Sequence, residues 1–208
     1  NDDSHHCLHV LLTGESDGYY QDYRERPHEL LCRSLAEGFA FQGENSSHLG
    51  RPRGERIAQL PASAFVNFLQ NHDQVGNRAR GERLAQLASM AALRAAAAVL
   101  LLAPSPPLLF MGEEWGAPEP FPYFCDFEPE LAARVREGRR REFAHFRGAV
   151  PEPDDPATFA SARLKWTRLG EPAHARMFDH YRRLLAIRRR DIVPLLPRIS
   201  GAACVAFD

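Results

Sequence analysis

Residues 64–83, AFVNFLQNHDQVGNRARGER, constrain the fold more than any other part of the chain. An apolar run over residues 64–69 stops abruptly at Asn71, His72, Asp73 and Gln74, and a turn-rich basic segment with Gly76 and Gly81 follows. An apolar run too short for a helix and closed by polar and turn residues reads as a strand buried on both faces. Such strands belong to parallel sheets, where the chemistry sits at the carboxyl ends.

Residues 84–114 supply the rest of that unit. Leu84, Leu87, Ala88, Ala91, Ala95 and Ala98 recur at helical intervals, and the prolines of residues 104–107 end the helix. Residues 108–111 form a second apolar run, closed by Gly112, Glu113 and Glu114. Strand, helix, strand is a parallel βαβ unit, which places both polar clusters on one rim.

Elsewhere the pattern is coarser. Residues 1–23 hold an apolar run, 8–12, of helix or strand type and then a Gly- and Tyr-rich loop. A helix is expected over residues 27–39, with Leu30, Leu31 and Leu35 on one face and Gly38 as its stop. Residues 42–63 read as a long surface connection, 115–127 as an aromatic loop and 152–156 as a proline-rich spacer. Amphipathic helices are expected over 131–146, with Leu131, Val135, Phe143 and Phe146 on one side, and over 177–190. Residues 199–208 look like the start of a strand in a further domain.

Charge and cysteine usage narrow the partners. The 26 basic residues nearly cancel the 27 acidic ones, so no field is implied that would recruit nucleic acid or an anionic membrane. A neutral partner fits best. Cys7, Cys32, Cys125 and Cys204 form no CxxC pair, which argues for reduced thiols and a cytoplasmic setting. The most apolar window, 84–103, contains Arg94 and is mostly alanine, the composition of a core helix rather than a membrane span. No signal peptide is recognisable, and the chain starts at Asn1 in what reads as mid-element.

Several side-chain groups could carry chemistry. A carboxylate beside an imidazole at an inward-facing strand end, as at His72 and Asp73, can grip vicinal hydroxyls or support an oxocarbenium-like transition state. The plainer account is a capping Asp and a core His. The hydrogen-bonding groups of Asn71, Gln74, Asn77 and Arg78 around them favour a binding rim. Glu113 and Glu114, adjacent on an extended segment, point to opposite faces, and a buried Glu paired with an Arg is the better reading. His5 and His9 would meet on a helix, but without a supporting ligand set they argue for no metal; Asp2, His5 and His6 lining a polar pocket is the alternative. Trp115, in a loop with Phe121, Tyr123, Phe124 and Phe127, is a candidate platform for a sugar ring or a packing residue. The arginine runs 139–141 and 188–190 read as solvated helix faces.

Three blocks, FVNFLQNHDQVGNRARGERL, LLFMGEEWGAPEPFPYF and VREGRRREFAHF, resemble in order and spacing the α-amylase family of glycoside hydrolases. The opening residues, NDDSHHCLHVLLTGESDGYYQDY, are similar to a segment just before that family's seventh barrel strand. The Asn-His-Asp triplet points only to the broad family. Its extension through Gln74, Gly76, Asn77, Arg78 and Glu82 resembles the trehalose-releasing branch, which acts on maltooligosyl trehalose. The resemblance implies that His72 contacts sugar at the cleavage subsite and that Asp73 is the third catalytic carboxylate, the one that stabilises the transition state. From the residues themselves, Asn71, Gln74, Arg78, Trp115, Asp2, His5 and His6 are the further candidate substrate contacts, and no cofactor is expected.

Two departures stand out: Ser4 replaces an aromatic, and nothing matches the family's nucleophilic Asp or acid/base Glu. Since a (β/α)8 barrel takes about 250 residues, the expectation is an α/β fold, with 1–196 the carboxyl-terminal part of a barrel and 197–208 the start of a β domain. Such a piece alone would be inactive and, with strand edges unpaired, prone to aggregate. A glycogen-branching or debranching enzyme and a non-catalytic carbohydrate-binding scaffold are the alternatives.

Overall fold

The computed structural model describes residues 1–56, 60–199 and 204. The expected strand over residues 199–208 lies outside them, apart from Ile199 and Cys204. Helix α1, Asp2–Thr13, is buried from Asp3 to Val10 and stops at Gly14 in the left-handed conformation. The run 8–12 is therefore helical, and the chain has no strand ahead of residue 45. A 3-10 segment, Gly18–Tyr23, leads to α2, Pro27–Glu37, which packs on α1. Gly38 closes α2 at φ 95°, and a β-carbon there would collide with the Phe65 ring.

The connection over residues 42–63 is more ordered than its composition suggests. It contains a short antiparallel hairpin, β1 (Asn45–Ser46) with β2 (Arg51–Pro52). Buried Asp3 accepts from the backbone N–H of Ala40 and from Arg53, which also donates to Tyr23, so one carboxylate ties the hairpin to α1.

The two central strands are shorter than their apolar runs: β3 is Asn67–Phe68 and β4 is Pro107–Leu108. They pair in parallel, Asn67 opposite Pro107 and Phe68 opposite Leu108. Between them come α3 (His72–Gly76), α4 (Leu84–Leu87) and α5 (Met90–Leu102). The single helix expected from residue 84 is thus broken at residues 88–89, where Ser89 starts α5 afresh by accepting from the N–H of Ala92. The break resets the phase. Leu93, Ala96, Ala97, Leu100 and Leu101 face the core, Ala98 packs at its edge, and Ala91 and Ala95 are exposed, because an alanine-rich helix carries little phase information of its own.

After β4 the chain is helical: α6 is Pro129–Glu142, α7 is Pro156–Ser161 and α8 is Pro172–Ile187. α8 runs on through a π turn, Arg188–Ile192, and a 3-10 segment, Val193–Arg198. α6 is shorter than expected and buries only Ala132, with Leu131 exposed. α7 occupies the end of the expected spacer. The main core packs α5 and α8 over Leu69 and Leu84. A second cluster joins Cys7 and Val10 of α1 to Tyr20, Tyr23 and Phe41.

Among the described residues β3 and β4 are the sole parallel pair, and helix dominates. No described helix is long and apolar enough to cross a membrane.

Candidate functional site

The polar cluster stands at the carboxyl end of β3, but on a helix rather than on the strand. Asn71, in extended conformation, caps α3 by accepting from the N–H of Gln74 at 2.8 Å. His72 and Asp73 then fall in the first helical turn, where a carboxylate also meets the positive end of the helix dipole. Capping therefore explains Asn71, and Asp73 remains free for other work. Its side chain is 68% exposed and that of His72 72%, with Nε2 and Oδ1 3.4 Å apart. An accessible carboxylate and imidazole in contact can meet a ligand without any rearrangement.

The neighbours form a connected polar rim. Tyr19 donates to Gln74 Oε1 at 3.1 Å, and Gln74 Nε2 donates to Asp2 at 3.3 Å. Arg78 forks onto both oxygens of Glu15, at 2.7 and 2.9 Å, and lies 3.4 Å from Glu82. His9 and Arg78 together hold the Glu15 carboxyl well below the usual range. Glu15 and Tyr19 had no sequence signal, because they reach α3 from about sixty residues away.

His5 and His6 do not line an open pocket. His5 stacks on Phe68, donates through Nδ1 to the carbonyl of Leu69 at 2.6 Å, and can accept from Tyr20 through Nε2 at 3.3 Å. Burial keeps its pKa well below the ordinary value, so it is the neutral ring this pairing requires. It braces the end of β3. His6 is buried among Tyr19, Tyr20 and Tyr23 with neither ring nitrogen hydrogen-bonded, and burial lowers its pKa to about 4. No group of three or more His, Cys, Asp or Glu among the described residues is placed to hold a metal ion.

Trp115 is 1% exposed, which removes it as a sugar platform. It packs against Trp166, and its carbonyl is hydrogen-bonded by His174. The arginine runs also divide. Arg139 donates to the carbonyls of Gly76 and Arg78, locking the turn after α3, and Arg188 is buried.

Glu113 is buried as expected, yet its hydrogen-bond partners are Gln70 Nε2 at 3.3 Å and Tyr181 at 3.1 Å rather than an arginine. Gln70 also accepts from the N–H of Leu84, so Glu113 steadies the link between β3 and α4. Burial pushes its carboxyl up to about 8 from 4.5, the value it has in the unfolded chain. Between those values the native state holds a proton that the unfolded state has lost, so stability falls as pH rises through that window. Denaturant titrations at pH 5 and pH 8 are expected to show Glu113→Gln with a flatter pH dependence than the parent and a relative gain at pH 8. Parallel profiles would sink this reading.

No model of a protein family matches the sequence. The chain is 41% identical, over its whole length, to a malto-oligosyltrehalose trehalohydrolase of Rhizobium sp. (strain M-11), and covers 35% of that protein. It is 40% identical to the enzyme of that name from Mycobacterium tuberculosis, over 92% of this chain and 34% of the relative. A crystal structure from Salmonella typhimurium, provisionally described as an alpha amylase, superposes with a TM-score of 0.92 at 48% identity, covering 97% of this chain and 35% of that one. The curated relatives it matches bear the name of a glycoside hydrolase. The chain is similar to the malto-oligosyltrehalose trehalohydrolases along about a third of the length of the curated relatives it matches.

Proposed function

We propose that this chain contributes the carboxyl-terminal part of a cytoplasmic (β/α)8 glycoside hydrolase that cuts the α-1,4 bond next to the terminal trehalose of maltooligosyl trehalose. The observation that carries the reading is the accessible His72–Asp73 pair just beyond a parallel strand, in a chain whose relatives are named trehalohydrolases. In this reading β3 and β4 are two of the eight barrel strands, and their carboxyl ends form the rim.

In a retaining mechanism a nucleophilic carboxylate attacks the anomeric carbon while an acid protonates the leaving oxygen, and positive charge builds on the sugar ring between those events. Asp73 supplies negative charge for that moment without itself forming a bond, and the unprotonated nitrogen or N–H of His72 can bind a ring hydroxyl. Asn71 and Gln74 orient the short helix, and Arg78 is held by Glu15 beside it. The chain brings one of the three carboxylates, so residues 1–208 alone are expected to release no trehalose.

The test is an assay of the intact protein on maltotriosyl trehalose, a linear maltooligosaccharide and a branched glucan. Trehalose release with little action on the other two is the expected result. Transfer or α-1,6 cleavage would move the assignment to a branching or debranching enzyme.

A further inference from the structure

The groove between the loop after β4 and the start of α7 is absorbed by none of the roles above. It has a volume of about 550 Å³, and Phe124, Cys125, Asp126, Asp154, Asp155 and Phe159 line it. The groove is built: Phe124 and Phe159 meet edge to face at 5.2 Å, and the N–H of Cys125 donates to the carbonyl of Pro153 at 2.8 Å. Phe159 is nevertheless 49% exposed.

Its position joins it to the rim. The N–H of Phe121 donates to the carbonyl of Gly81 at 2.8 Å, in the turn that Arg139 fastens behind α3. Gly81 has φ +67°, and a β-carbon there would strike the backbone of residues 121–122, so the loop and the turn are packed without slack.

The lining selects the ligand. Three carboxylates repel an anion. Asp154 is engaged by Arg136 and Asp155 caps α7 through the N–H of Ala157, while Asp126 has no hydrogen-bond or ion-pair partner among the described residues. An exposed phenyl ring, Phe159, beside half-buried Phe124 and next to acceptor oxygens matches a neutral ligand that is apolar on one face and rich in hydroxyl donors at its edge. A pyranose ring has that character. The volume is in the range of small-molecule sites.

We infer that the Phe124–Phe159 groove is an accessory subsite for an α-glucan chain, with Asp126 accepting from sugar hydroxyls. The inference rests on the proposed glucan substrate and extends its binding surface beyond α3.

Cys125 gives a direct readout of occupancy. The rate of its alkylation by iodoacetamide is followed by peptide mass spectrometry during a titration with maltoheptaose, with exposed Cys204 as the internal control. At about ten times the dissociation constant, labelling of Cys125 falls about tenfold, because only the empty fraction reacts, while Cys204 is unaffected. Phe159→Ala, checked for folding by circular dichroism, loses the protection. Asp73→Asn keeps it, so a failure at the cleavage site and a failure of this subsite are told apart. Labelling indifferent to maltoheptaose overturns the inference. So does labelling that slows with protein concentration instead, which would make the groove an interface between copies.

Discussion

Replacing Asp73 with Asn in the intact protein is expected to lower kcat on maltotriosyl trehalose by at least about 10²–10³-fold, the scale on which loss of one preorganised transition-state group is felt. The side chain is exposed and its one close ionic neighbour among the described residues is His72, so in the resting fold its charge supports little beyond the dipole of the short helix α3. Folding stability should therefore stay within about 0.5 kcal/mol of the parent, as for other exposed sites. Such a split between turnover and stability is what separates a chemical role from a structural one. A variant that keeps most of its turnover would rule out Asp73 as the stabilising carboxylate and favour a binding scaffold. His72→Ala should raise KM as well as lower kcat, because its sugar contact exists before the transition state.

Arg188→Ala is expected to cost about 2–4 kcal/mol of stability, read as a lower urea midpoint of the intact protein. The guanidinium donates to the carbonyls of Leu101, Ala103, Pro104 and Ser105, all within the passage from α5 to β4. The last carbonyls of a helix lack intrahelical partners, and here they are covered by protein, so one side chain replaces both solvent and a helix cap. Removing it strands several acceptors at once. Arg188→Lys should recover less than half of the loss, since a single ammonium cannot fork across four carbonyls. The same variant tests the coupling of stability to the site. β4 enters the sheet two residues after Ser105, and its register against β3 sets where Gln70, Glu113 and the start of α3 lie. An unchanged midpoint would mean that water substitutes for the arginine.

Comparing expectation with structure separates two kinds of information. The apolar runs around residues 64–69 and 108–111 pointed to a parallel pair because short apolar runs closed by turn residues can be read without a partner. The burial expected of both was found only at Asn67, Phe68 and Leu69, while Leu108 and Met111 are 42% and 44% exposed. The helix stop at Gly38, the proline break after α5 and the polar cluster at residues 71–74 were legible for the same local reason. Phase and orientation were not. Alanine gave no phase to α5, and a tryptophan in a loop looks alike whether it packs inward, as Trp115 does, or outward, as Trp166 does at 64% exposed. His5 and His6 resembled pocket residues because polarity along a helix says nothing about whether its polar side is covered. Here Tyr19, Tyr20 and Tyr23 cover it.

Sequence by itself determined the class of strand–helix–strand unit and the short stretch that bears Asn71, His72, Asp73 and Gln74. Both depend on residues that are neighbours in the chain, so composition and spacing carry them. Tertiary structure alone decided that Asp73 is open while His5, His6 and Trp115 are closed, that Glu15 and Tyr19 complete the rim, and that Arg188 is a buried clasp. Each of those depends on groups about fifteen to ninety residues apart, and which of them meet is settled by the packing of helices against one another, which no local pattern encodes.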